Sequence, residues 1–298
     1  MVYTKQRTLK EDVEIKGIGL HSGELVSLHL TPMPVNTGIV FEKNNVIIPA
    51  RVDFAKGFDF STSIENQGEK VQTIEHLMAA LYFLGIDNVK IKISGSEVPI
   101  LDGSAREFIE IFEMVGIKPL KEDKLYALIT KDVKVENKDR YLLATPDNEP
   151  VFTYEAVYNN TVIGNKKFSF KPFSQSYDSV SPARTYCFFE EVELLKQMGL
   201  AKGGSLENAV VFKEDEILNP EGLRFEDEPV RHKLLDLIGD LYLLGYPIVG
   251  NVYSYKGGHF LNAKLVKKLI NEKAYELVPA SKLNFNNEAQ FQTAVKVA

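Results

Sequence analysis

Apolar and polar positions alternate from the start of the chain. Residues 8–15, 25–30, 38–41 and 46–50 are short alternating runs divided by turn residues, and they predict a meander of strands. The period then changes. Across 71–85, Ile74, Leu77, Met78, Leu81 and Leu84 form one apolar stripe ended by Gly85, which predicts a helix with Glu75 and His76 on its other side. An alternating strand follows at 89–93, then a turn at 99–105 and a helix at 106–116. The charged, periodless stretch 118–124 reads as a linker.

A second strong helix pattern spans 230–241. Glu226, Asp227 and Glu228 with Pro229 mark its start, and Gly245 marks its stop. Leu234, Leu235, Leu237, Ile238, Leu241, Leu243 and Leu244 cover most of its circumference, as in a helix buried on nearly all sides. One stripe departs from this: His232, Asp236 and Asp240 recur at i, i+4 and i+8 and stack on one face, with Lys233 one position round. Carboxylates, an imidazole and an ammonium are costly in an apolar wall unless they pair or bind a metal. A His with an Asp four residues on is a sound metal clamp; a solvated face or a buried ion pair is the alternative.

Composition excludes several classes. The chain of 298 residues is 44% hydrophobic, enough for one large core or two ordinary ones. A net charge of -6 leaves no basic footprint for nucleic acid or anionic membranes. Cys187 is the one cysteine, so neither a disulfide framework nor a cysteine-rich metal site exists. The amino terminus has no apolar signal region, and no apolar run approaches the ~20 residues of a membrane span. A cytoplasmic monomer without stable membrane insertion is the expectation.

The chain also repeats itself. Leu81-Tyr82-Phe83-Leu84-Gly85 recurs as Leu241-Tyr242-Leu243-Leu244-Gly245, an offset of 160 (241 less 81), which also brings Ser94 onto Ser254. Upstream, 28–32 resembles 142–146 and 13–15 resembles 133–135, so the second copy carries extra residues in its middle. This predicts an α+β fold of two duplicated domains, 1–120 and 125–275, with an insert at about 186–212 and a tail from about Glu276 to the end. The same offset brings His76 onto Asp236. If the copies pack helix on helix about a pseudo-twofold axis, those two can face each other, and His232 completes a trio of ligands. Two histidines and a carboxylate with an open fourth position suit catalytic zinc, and Glu75 would stand ready to take a proton from bound water. A chance pairing of polar residues is the alternative.

The insert is rich in apolar side chains, among them Tyr186, Phe188, Phe189, Val192, Leu194 and Leu195. Such a segment either packs on its own domain or lines a cleft for an apolar ligand. Three glycines around His21 and Ser22 at 17–23 suggest a tight loop whose backbone passes close to something; a bulged hairpin is the plain alternative.

Four motifs carry a resemblance: Thr-Ile-Glu75-His76-Leu, Ser-Pro-Ala-Arg-Thr185, Gly-Leu-Arg-Phe-Glu-Asp-Glu-Pro-Val-Arg-His232-Lys233 with Asp236 and Asp240, and Lys-Gly-Gly-His259. From about Arg7 to about Ile270 the chain resembles the UDP-3-O-acyl-N-acetylglucosamine deacetylase family, zinc enzymes of the committed step of lipid A biosynthesis. The resemblance implies two α+β units with helices lying between two sheets. It implies Zn2+, with Fe2+ an option in the cell, on His76, His232 and Asp236. Glu75 matches the general base, and His259 the general acid that protonates the departing sugar amine, held charged by Asp240. Thr185 and Lys233 match groups that stabilise the oxyanion. Tyr186, Val192, Ala201, Ser205 and Ala209 match an acyl passage, Tyr158 a uracil-stacking aromatic, and His21 a supporting histidine at the site's mouth. The substrate implied is a UDP-sugar bearing a fatty acyl chain. Some members are fused to a dehydratase domain, for which this chain is too short.

A zinc hydrolase of another acetylated sugar or peptide is the nearest enzyme alternative, and a metal-stabilised lipid or nucleotide carrier the non-enzymatic one. Other polar residues have plainer readings: His29 as structural, Asp102 as an Asp-Gly turn, Arg231 and Glu228 as surface charges, Glu226 and Asp227 as helix-terminus groups.

Overall fold

The computed structural model describes residues 2–158 and 163–283. The front half runs β1 (Lys5–Leu9), β2 (Val13–Ile18), β3 (Leu25–Pro32), β4 (Ile39–Lys43), β5 (Val46–Pro49), the hairpin β6 (Ile64–Asn66) and β7 (Glu69–Val71), α1 (Glu75–Phe83), β8 (Val89–Ile93), α2 (Arg106–Val115) and β9 (Ile117–Asp123). The back half runs β10 (Leu125–Ile129), β11 (Val133–Asn137), β12 (Arg140–Thr145), β13 (Val151–Val157) and β14 (Asn165–Phe170), then the insert β15 (Tyr186–Phe188), α3 (Phe189–Gln197), β16 (Val210–Lys213) and β17 (Glu216–Ile217). It closes with α4 (Glu228–Leu241), β18 (Ile248–Val249), β19 (Asn251–Tyr255), α5 (His259–Asn271) and β20 (Tyr275–Pro279).

Two five-stranded sheets share one plan, β2-β3-β8-β4-β5 in front and β11-β12-β19-β13-β14 behind. In each, the last strand in sequence enters the middle, antiparallel to the second and parallel to the third. The register agrees with the upstream repeat: Ile15 faces Leu28 as Val135 faces Leu142, and Val13 faces Leu30 as Val133 faces Ala144. Downstream it slips by one. Leu28 faces Ile93 but Leu142 faces Ser254, so Ser94 and Ser254 are not equivalent. The back copy has one more residue between Gly245 and this strand, in the stretch where β18 pairs in parallel with β10.

The boundary expectations change for a common reason. The run 8–15 is broken at residues 10–12, because β1 leaves the main sheet to pair antiparallel with β9. The charged stretch expected as a linker is that partner, and it closes the front copy as β20 closes the back copy by pairing antiparallel with β10. The chain therefore continues in register past Glu276, where a tail was expected; residues 284–298 lie outside the described residues. Neither closing strand has a buried residue, β9 being largely exposed and β20 half-buried, so neither shows the apolar alternation that marks a buried face.

Helices α1 and α4 lie at the centre, buried on nearly all sides, in one core with the apolar faces of both sheets. Residues related by the offset of 160 meet where the helices cross. The rings of Tyr82 and Tyr242 are 5.4 Å apart at 85°. Gly239 packs against the backbone of Ala79, its repeat partner, and a Cβ there would lie 2.1 Å from Glu75 O. A turn further on, His76 Nε2 stands 3.4 Å from Asp236 Oδ1. The crossing needs a glycine at 239 because any side chain would part the helices. Helix α1 starts later than expected, since Val71 ends β7 and Thr73 has φ 57, and Glu75 and His76 face the core.

In the insert, β16 packs inward through Val210 and Phe212. The helix α3 does not follow: it has no buried residue, and Phe189 and Leu194 on it and Met198 just past its end are exposed. Packing on its own domain thus holds for β16 and fails for α3.

Candidate active site

The centre of the site is the end of the α1/α4 crossing where His76, His232 and Asp236 converge, all buried. His76 comes from the first turn of α1, and His232 and Asp236 from successive turns of α4. Asp236 Oδ1 lies 3.4 Å from His76 Nε2 and 3.3 Å from His232 Nε2, and it is a buried oxygen without a hydrogen-bond partner. The edges of a tetrahedron with bonds of about 2.0–2.1 Å measure roughly 3.3–3.4 Å, so this donor set fits a tetrahedral metal ion. The remaining atoms are held from behind. His232 Nδ1 lies 3.0 Å from the Ala183 carbonyl, which as acceptor leaves Nε2 with its lone pair free, and Lys233 Nζ donates to Asp236 Oδ2 at 2.9 Å. Burial pushes His232 down to about 3, so it stays neutral. Against the upward push of burial, His232 and Lys233 hold the Asp236 carboxyl well below the usual range; Asp236 in turn raises Lys233 despite its burial.

Glu75 precedes His76 and is buried beside it, with Oε2 accepting from Thr62 N at 3.0 Å. Burial pushes its carboxyl up to about 7, where a carboxylate can exchange a proton with water near neutrality. His259 opens α5, and its Nδ1 lies 2.8 Å from Asp240 Oδ2. Burial works to lower His259, but the Asp240 charge and hydrogen bond raise it to about 9. The result is a carboxylate and an imidazolium, from different halves, beside a metal-ready trio.

The other expected residues fall in several places. Thr185 is half-buried, bonded through its backbone to Gly103 O and Val210 N. The Tyr186 ring lies 6.3 Å from that of His232, with Lys233 Nζ 5.7 Å from its centre, and its hydroxyl bonds that of Tyr158. Tyr158 thereby stands beside the entrance to the insert. Val192 is half-buried on α3; Ala201 and Ser205 lie in the loop after it, and Ala209 is buried before β16. His21 is buried with both ring nitrogens unpartnered, and burial lowers its pKa. Its loop does pass close to something: the Glu97 carboxylate accepts from His21 N and Ser22 N, and Gly203 of the insert packs on Gly19 O while donating to Leu20 O.

Several partners were not foreseen. Thr62 and Asn262 both donate to Asp240, and Glu97 fixes the His21 loop. No spacing signals them, since each meets its partner across separate elements. Glu228 is not a surface charge: it is fully buried and takes two guanidinium bonds from the buried Arg184. Arg231 is half-buried between the rings of Phe168 and Phe225. Asp102 does form a turn, accepting from Ser104 N and Oγ ahead of Gly103 at φ 83. His29 is an exposed partner of Asp12.

Among the described residues, no helix is long and apolar enough to cross a membrane. The sequence profile of the UDP-3-O-acyl N-acetylglycosamine deacetylase family matches residues 6–271. The chain is 44% identical to the UDP-3-O-acyl-N-acetylglucosamine deacetylase of Nautilia profundicola, covering 93% of this chain and 96% of that one. It is 43% identical to the enzymes of that name from Aquifex aeolicus, over 90% and 94% of the two chains, and Myxococcus xanthus, over 92% and 90%. The chain therefore belongs to the UDP-3-O-acyl N-acetylglycosamine deacetylase family and is a hydrolase of the deacetylase kind.

Proposed function

We propose that this protein is a zinc-dependent, cytoplasmic deacetylase that removes the N-acetyl group of UDP-3-O-(3-hydroxyacyl)-N-acetylglucosamine as acetate, the committed step of lipid A biosynthesis. The observation that carries this reading is the convergence of His76, His232 and Asp236 in one buried cluster, with Glu75 next to His76 and Thr62 joining Glu75 to the Asp240–His259 pair. His76, His232 and Asp236 would hold the metal, which when bound supplies a Lewis acid and acidifies water towards a pKa of ~7.

Glu75 accepts the proton of the attacking water, for which its raised pKa suits it. The Lys233 ammonium and the Thr185 hydroxyl stabilise the oxyanion that grows on the acetyl oxygen, a donor of this kind being worth ~3–4 kcal/mol of barrier. His259 delivers a proton to the sugar nitrogen as the C–N bond breaks, and Asp240 keeps it charged until then. The acyl chain runs along the insert, past Tyr186, Val192, Ala201, Ser205 and Ala209; the exposed apolar face of α3 supports this. Tyr158 stacks on the uracil, and His21 supports the mouth of the site.

The test is acetate release from the acylated UDP-sugar by purified protein, before and after chelation and after Zn2+ is restored. Loss on chelation and recovery with zinc is expected. Tight substrate binding with no acetate formed would sink the reading.

A further inference from the structure

Three donors converge on the buried carboxylate of Asp240, and two of them, Thr62 and Asn262, belong to residues to which the reaction above gives no role. The Thr62 hydroxyl donates to Asp240 Oδ1 at 2.6 Å, while His259 Nδ1 and Asn262 Nδ2 each lie 2.8 Å from Oδ2. The backbone N–H of the same threonine donates to Glu75 Oε2 at 3.0 Å. Thr62 is buried to within 1% and sits between the halves, so it touches both the carboxylate assigned as base and the carboxylate behind the assigned acid. A hydroxyl donating to a buried carboxylate makes a short, charge-assisted bond, stronger than one between neutral groups.

We infer that Thr62 is a positioning residue that fixes Asp240, and through it the proton-donating His259, relative to Glu75, and so sets how tightly the Asp240–His259 pair holds its proton. This deepens the reading of His259 as general acid and rests on it. A donor to the carboxylate stabilises the negative charge most when the imidazolium opposite has lost its proton, which loosens the pair's hold. The charged and titratable groups facing His259 are Asp240 and Asp236 from α4, Glu75 from α1 and His21 from the front loop. Thr62 bonds to two of them, Asp240 and Glu75.

The test compares metal-loaded full-length wild type, Thr62→Val and Thr62→Ser, with kcat and KM for acetate release followed across pH. Thr62→Val removes the hydroxyl and keeps the N–H to Glu75. Its kcat is expected to fall ~3- to 10-fold near neutrality with KM unchanged, and its alkaline limb to move up by about half a pH unit. Thr62→Ser restores both. An alkaline limb in Thr62→Val that stays put or moves down overturns the inference, whatever happens to kcat, because a merely structural role would leave the limb alone. If the valine variant folds poorly, Thr62→Ala makes the same deletion. Titration of the His259 ring by 15N NMR, assigned with His259→Gln, reads the shift without turnover. A wild type that releases no acetate would sink the functional reading, while the NMR shift still decides the role of Thr62.

Discussion

Helix α1 of the front copy and helix α4 of the back copy occupy equivalent places, yet their polar faces differ. At the offset of 160, Gln72, Thr73, His76 and Ala80 stand where the back copy has His232, Lys233, Asp236 and Asp240. Gln72 and Thr73 precede α1 altogether, since that helix has 9 residues against 14 in α4. The back helix therefore brings two of the three candidate ligands, an ammonium and the carboxylate bonded to His259, and the front helix brings the third and Glu75. A twofold crossing puts unlike residues opposite each other once the copies diverge.

If both copies are needed for the chemistry, Glu75→Ala from the front and His259→Ala from the back should each lower turnover by at least ~100-fold with metal content intact. Steady-state kinetics with metal analysis checks this, and near-normal turnover in either would make the site the property of one half. The crossing itself should be equally one-sided in its tolerance. Gly239→Ala pushes a methyl into Glu75 O and should cost ~3 kcal/mol of stability, whereas Ala79→Gly at the equivalent place should cost ~1 kcal/mol. Equal denaturation midpoints would show that the helices do not cross as closely as this.

The proposed acid, His259, lies in the back copy, and its titration should depend on Asp240. His259 is raised to about 9 from an ordinary 6.5, so its proton is present at neutrality and activity should fall as pH rises through about 9. In Asp240→Asn that limb should move down towards ~6.5. The sign for stability is the same: the stabilisation from this pair is fully present below the unfolded value and lost as pH rises through about 9. A pH–rate profile unchanged by the substitution would detach Asp240 from the acid. The smallest effect concerns the tyrosine pair. Tyr242→Phe gives up the bond to Ile86 O at 3.0 Å and should cost ~1 kcal/mol by chemical denaturation, leaving kcat unaltered.

The stripe His232, Asp236, Asp240 was legible because helical spacing alone puts it on one face, and the repeat made His76 its partner before any packing was known. Both closing strands were misread for the opposite reason: β9 is an exposed ribbon whose charged residues carry no periodic signal, and β20 is a short half-buried strand without clean alternation. Glu228 was misread because a buried ion pair and a surface charge are the same letter, and only the Arg184 guanidinium, 44 residues away in the chain, distinguishes them.

The sequence by itself determined the repeat, the buried central helices and the shared helix face of His232, Asp236 and Asp240, since these follow from offset and periodicity. The tertiary structure alone decided that Asp236 Oδ1 sits within 3.4 Å of two imidazoles, that Gly239 lets the helices touch, and that Thr62 and Asn262 reach Asp240. The reason is physical: periodicity reports which face a residue occupies along its own element. Distances of a few ångströms between elements are set by how side chains interlock where those elements cross.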